Sequence, residues 1–180
     1  MNGQQCRAAR ALLGLSQPAL AKIAAVGENQ LREFESGKRV PGRGSIQKLR
    51  GALAVRGIEF ISDSDGFGLK KNPNATARAM DESLSVQEAA AIKPKVEVEL
   101  SASNDLHPAQ CRAARGFLKW SQAEAATQLG VGLSLLASFE NGRQPQRKNL
   151  ENIKAAFERA GIAFHRNGRR LEVSMEELAQ

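Results

Sequence analysis

Tyrosine is absent from these 180 residues, aromatic side chains make up only 4% of them, and histidine and cysteine occur twice each. So thin an aromatic complement argues against single-strand nucleic-acid platforms, which stack bases on rings. The two histidines, His107 and His165, fall at a helix start and on a strand, without metal-ligand spacing. Cys6 has no histidine near it in sequence, Cys111 has only His107 four residues before it, and no phosphate-cradling glycine loop is present. The expectation is a chain that is not an enzyme and that needs no metal or cofactor. No apolar run approaches the roughly 18 residues that span a bilayer, and Ala11 to Leu15 is too short for a signal peptide. A cytoplasmic, nucleoid-associated protein with no membrane partner is therefore expected.

What is abundant is positive charge. The formal net charge is +7 and the pI about 9.8, which points to a polyanionic partner. The charge is uneven. Residues 1–71 hold 12 basic and 6 acidic side chains for a net +6, residues 72–104 carry −2, and residues 105–180 carry +3.

The run from Ser16 to Arg39 reads as two short helices joined by a tight turn. Ser16 is a good cap, Pro18 sits where a missing N–H costs nothing, and Leu20, Ala21 and Ile23 form an apolar face. A second helix turns Leu31 and Phe34 inward and Glu28, Asn29, Gln30, Arg32 and Glu33 outward, until Ser36-Gly37 stops it. Ahead of this run a first helix is expected over residues 4–13, with Asn2 as its cap and Cys6, Ala9 and Leu13 on one face. After it, a loop bearing Lys38, Arg39 and Arg43 leads to a fourth helix capped by Ser45, with Ile46, Leu49 and Leu53 at helical spacing. Ile58 to Ile61 and Phe67 to Leu69 then alternate as a small hairpin.

Almost all of this returns about a hundred residues later. The string Q-C-R-A-A-R recurs at 110–115, Ser121-Gln122 repeats Ser16-Gln17, and Phe139-Glu140 repeats Phe34-Glu35. Leu150, Ile153 and Phe157 repeat the fourth helix. Asn167-Gly168 is a strong hairpin turn that folds Leu171 to Val173 back on Ile162 to Phe164. His107 is a poor substitute for the usual caps at the start of the second repeat. Cys6 and Cys111 hold equivalent places, so the expectation is two small buried core residues rather than one disulfide, with a reactive thiol as the alternative.

Gln17 at the start of its helix, small Ala21 where two helices touch, Leu31 and Phe34 in the core, and the E-S-G-K exit together resemble the XRE, or phage repressor and Cro-like, helix-turn-helix family. The resemblance covers residues 4 to about 60 and again 109 to about 164. It implies a mainly α chain: two tandem lambda-repressor-like helix-turn-helix domains of four to five helices, each followed by a short β-hairpin. The expected domains are 1–71 and 105–175, with a linker at 72–104 and a tail at 176–180. Within the linker, Leu84 to Ile92 has helix-forming composition and Val96 to Leu100 alternates like a strand able to pair with either hairpin or with a second copy of the protein.

The resemblance also implies function: a sequence-specific, double-stranded DNA-binding transcriptional regulator, a repressor ahead of an activator. Gln17 and Gln122 would meet phosphates, and Glu28, Asn29, Gln30, Arg32 and Glu33 would face bases. Lys38, Arg39 and Arg43, with Arg143, Arg147 and Lys148 in the second repeat, would hold the backbone. Arg10 with Glu35, and Arg115 with Glu140, are the implied structural ion pairs.

Two departures stand out. At the first turn Ala25 replaces the glycine that repeat two keeps as Gly130, so the turn is expected to adjust, with Gly27 absorbing the bend. The second recognition helix offers Leu133, Ser134, Leu135, Ala137 and Ser138, a face with little hydrogen-bonding capacity that could touch thymine methyls, with Ser134 expected among the DNA-binding residues. Exposed Leu133 and Leu135 would instead mark a protein contact, with a second copy, RNA polymerase or another regulator. The alternative function is an anti-regulator or antitoxin-like binding module. A linker of about 33 residues spans roughly 30 Å as a coil, against about 34 Å for one DNA turn. The two domains would thus reach neighbouring half-sites as a covalent pseudo-dimer, with self-association through the second domain as the alternative.

Overall fold

A computed structural model describes residues 1–63, 66–72, 106–167 and 170–176. Among them the chain is mostly helical, with eight helices and one antiparallel four-stranded sheet. The first repeat forms α1 (Gly3–Leu12), α2 (Gln17–Ile23), α3 (Glu28–Ser36) and α4 (Arg43–Ala54), then β1 (Ile58–Asp63) and β2 (Gly66–Lys71). The second forms α5 (Pro108–Leu118), α6 (Gln122–Leu129), α7 (Leu133–Glu140) and α8 (Arg147–Arg159), then β3 (Ile162–Asn167) and β4 (Arg170–Glu176). The helix expected at 84–92, the strand at 96–100 and all but the first residue of the tail lie outside the described residues.

Local chemistry explains most boundaries. Asn2 and Gln5 form a reciprocal capping box at α1, as Ser121 and Glu124 do at α6. His107, expected to cap poorly, does cap α5: its Nδ1 accepts from the Ala109 N–H at 3.1 Å, and Gln110 returns a bond to the His107 N–H. A neutral imidazole nitrogen is a competent acceptor in place of a hydroxyl or carboxylate oxygen. The fourth helix starts earlier than expected, with Gly42 as cap and Ser45 already inside it. Arg43 is consequently its first residue, and Arg147 and Lys148 likewise open α8 rather than lying on a loop.

The first turn also differs from expectation. Ala25 itself takes the left-handed conformation, at φ +48°, matching Gly130 at +66°. Gly27, at φ −66° and ψ 137°, is an ordinary extended cap of α3. Packing between α2 and α3 holds the turn and overrides the steric cost at Ala25.

The two repeats share a single hydrophobic core. In α1, Gln5, Cys6, Ala8, Ala9 and Leu12 are all buried, which makes a wide stripe. Its Ala8 side meets α5. There Gly116 lies so close to Ala8 that an added Cβ would come 2.8 Å from the Ala8 Cα. The sheet runs β1-β2-β4-β3, so the hairpins pair with each other across β2 and β4. Leu69 stands opposite Val173, its equivalent in the repeat, and both are buried. A pseudo-twofold axis therefore passes between them. Phe67 of β2 contacts Phe117 of α5 with ring centroids 5.7 Å apart, and the Arg112 Nε donates to the Ala11 carbonyl at 3.2 Å.

In the second hairpin Asn167, expected in the turn, belongs to β3 and pairs with Arg170. Alternation puts Ile162, Phe164, Leu171, Val173 and Met175 on the face that packs into the core.

Candidate nucleic-acid interface

Each repeat is locked by a buried polar clamp built on the last turn of its third helix. Glu35 is buried, and its carboxylate accepts from the Arg10 Nε at 2.8 Å and Nη2 at 2.9 Å, a bidentate pair. The Gln17 side-chain amide donates to the same carboxylate at 2.9 Å, and the Arg10 Nη1 donates to the Leu15 carbonyl at 2.9 Å. Four segments of chain thus meet at one charge: α1, the following loop, the start of α2 and the end of α3. The second repeat reproduces it. Arg115 donates to Glu140 at 2.6 and 2.8 Å, Gln122 at 2.7 Å, and Arg115 also reaches the Trp120 carbonyl at 3.0 Å.

Gln17 and Gln122, expected at phosphates, therefore spend a donor inward. What the clamp does is set the angle between the two short helices, neither of which is long enough to hold itself. Sequence reasoning missed two members of it: Arg7 and Arg112 donate to the Glu35 and Glu140 backbone carbonyls. The signal was present in the repetition of Q-C-R-A-A-R, whose first arginine recurs as faithfully as its second. The Gln5 side chain, also unassigned, donates to the Ile61 carbonyl at 2.9 Å and ties α1 to the sheet, as Gln110 does through His165 and Glu172. Among the described residues every buried side-chain polar atom has a partner.

Cys6 and Cys111 are free and buried beside these clamps. Burial, reinforced by the neighbouring Glu35 carboxylate, pushes the Cys6 thiol up to about 12. Burial and Glu140 push Cys111 in the same direction. Both thiols stay protonated and unreactive in the folded chain.

The clamps present α3 and α7 with very different outer faces. On α3, Glu28, Asn29 and Arg32 are exposed and Gln30 and Glu33 half-buried. Arg32 donates to Glu28 at 2.8 Å and to Asn29 at 3.3 Å. This surface network is worth only about 0.3–0.5 kcal/mol per pair, so an incoming partner displaces it at little cost. Lys38, Arg39 and Arg43 flank the face, all exposed. On α7, Leu133 is 49% exposed, Ser134 is exposed, and Ala137 and Ser138 are half-buried. Leu135, expected as a surface contact, is half-buried and packs on the core, because its place in the helix turns it toward the fold. Arg143, Arg147 and Lys148 are exposed, with Arg147 bound to Glu151 at 3.0 Å.

No protein-family model matches the chain, and no curated protein or solved structure matches it either. Among the described residues no helix is long and apolar enough to cross a membrane, and no group of histidine, cysteine or acidic side chains is arranged to hold a metal ion.

Proposed function

We propose that this chain is a sequence-specific, double-stranded DNA-binding transcriptional regulator built from two XRE-type helix-turn-helix units, a repressor ahead of an activator. The observation that carries the reading is the polar outer face of α3, held at a fixed angle by the Arg10–Glu35–Gln17 clamp and flanked by Lys38, Arg39 and Arg43. Asn29 and Gln30 have the donor and acceptor pair that adenine presents, and Arg32 the fork that guanine presents, each worth about 1–3 kcal/mol of discrimination. The first turn of α4 has no side-chain cap, so its free N–H groups add to Arg43 as a place for a phosphate.

In this reading the shared sheet and core, not a flexible tether, fix the distance between the two units, and the unlike faces of α3 and α7 suit an asymmetric site. The second unit contributes phosphate contacts through Arg143, Arg147 and Lys148. The half-exposed Leu133 favours a second reading for α7 alone, a contact with a protein partner such as polymerase or another regulator. A chain acting only as an anti-regulator or antitoxin-like module would depend on Leu133 and not on α3.

Selection of bound sequences from a random duplex pool at about physiological salt tests the proposal, using the full chain beside the Asn29→Ala, Gln30→Ala, Arg32→Ala triple variant. An enriched motif lost in the variant is expected. Binding that enriches no motif and vanishes as salt is raised leaves only non-specific phosphate attraction and rejects specific regulation.

A further inference from the structure

We propose that a cationic cavity on the pseudo-twofold axis, between the two repeats, binds a small planar organic anion of the nucleoside phosphate class. The cavity has a volume of about 420 Å³ and is lined by Arg7, Arg10, Arg112, Arg115, Lys119 and Trp120 among others. That volume lies in the range of about 300–1,000 Å³ typical of small-molecule sites.

Charge is the first argument. Five cationic side chains converge there, and the carboxylates that reach them, Glu35 and Glu140, are already engaged by Arg10 and Arg115. Arg7 and Arg112 make their hydrogen bonds to neutral carbonyls, with the Arg7 Nε also 4.0 Å from the Glu35 carboxylate, and Lys119 is exposed at the rim. Burial lowers the pKa of both Arg7 and Arg112, Glu35 and Glu140 oppose that shift in part, and the adjacent Arg10 and Arg115 add to it to a smaller extent. Two carboxylates shared among five cations leave the cavity with a net positive charge, which an entering dianion neutralises. Guanidinium groups also match phosphate geometry.

The second argument is the difference between the repeats. Positions Gly14 and Leu15 of the first repeat become Lys119 and Trp120 in the second, and both replacements line this cavity. Lys119 has φ +59°, the conformation Gly14 takes freely at +69°. A lysine is strained there where a glycine would not be, and such strain collects at functional sites. Trp120 is the chain's one tryptophan; it stacks on Phe157 at 6.0 Å and borders the cavity, giving a flat ring something to lie against. This inference stands apart from DNA reading by α3 and has its own readout.

Titration calorimetry of the full chain with AMP, adenosine and inorganic phosphate is the test. AMP should bind saturably at one site per chain, adenosine at least tenfold more weakly, and phosphate should compete with AMP. Lys119→Gly removes the charge and the backbone strain together, so the variant should melt no lower than the parent yet bind AMP about tenfold more weakly. Trp120→Leu, which restores the residue of the first repeat, should weaken AMP more than phosphate. The proposal is overturned by absence of saturable AMP binding, by adenosine binding as well as AMP, or by undiminished AMP binding in folded Lys119→Gly. Loss of duplex DNA affinity in that variant, with no AMP binding by the parent, would assign these cations to the DNA backbone and equally overturn it.

Discussion

Arg10 and Glu35 form the bond on which the first repeat's geometry rests, and it is a conditional one. Glu35 is almost wholly buried, so removing its bidentate partner leaves the carboxylate with the Gln17 amide at hydrogen-bond distance and the Arg7 Nε 4.0 Å away. Arg10→Ala should destabilise the chain by about 3–5 kcal/mol, read as a fall in the denaturant midpoint. The paired replacement of Arg10 and Glu35 by apolar residues should cost much less, because no uncompensated charge remains. The buried thiols carry a pH signature. In the unfolded chain they ionise near 9, while Cys6 in the folded chain holds its proton to about 12. Above pH 9 the unfolded state then binds fewer protons than the folded one, so stability falls as pH rises, by about 1.4 kcal/mol per pH unit for each thiol. Below pH 9 their contribution is complete. Burial lowers the Lys71 pKa and works the opposite way, so the comparison that isolates the thiols is the slope of stability against pH relative to a Cys6→Ala, Cys111→Ala variant, which should be shallower.

At the scale of elements, the turn between α2 and α3 holds an alanine in a conformation that glycine prefers. Ala25→Gly should raise stability by about 1 kcal/mol, whereas the same change at Ala24, the buried C-cap of α2 with an ordinary right-handed backbone, should lower it. Chemical denaturation of both variants distinguishes relief of strain from a general effect of glycine. Most elements were legible from the sequence because their signals are local: Ser16 and Ser121 as caps, Gly37 as a stop, and alternation at Ile58 to Ile61 and Ile162 to Phe164. The exceptions have physical causes. The start of α4 was misplaced because Ser45 is a better cap by type, while Gly42 leaves its amides to solvent at little cost. Leu135 was read as exposed from its equivalence to Gln30, yet both positions are half-buried, and a leucine there simply joins the core.

Over the whole molecule, the decisive contact is between repeats. Residues 1–71 alone would expose the face of α1 that meets α5 and the edge of β2 that pairs with β4. A fragment of that length should therefore self-associate, α1 on α1 and β2 on β2, since Leu69 already faces its own equivalent across the axis. Sedimentation of the fragment against the full chain checks this: a concentration-dependent dimer is expected from the fragment, and a monomer of full stability would show that the shared core is dispensable. The tandem repeat, most elements within each copy and the unlike composition of α3 and α7 were determined by the sequence itself, because repetition and short-range periodicity are written residue by residue. Of the clamp, the resemblance implied only the Arg10–Glu35 and Arg115–Glu140 pairs, and Gln17, Gln122, Arg7 and Arg112 joined it in the structure. Only the tertiary structure decided that the repeats share one sheet and one core, and that the arginines of both converge on a single cavity. Strand pairing runs through backbone groups that every residue carries, and alanines such as Ala8 look the same in sequence whether a helix buries one face or two.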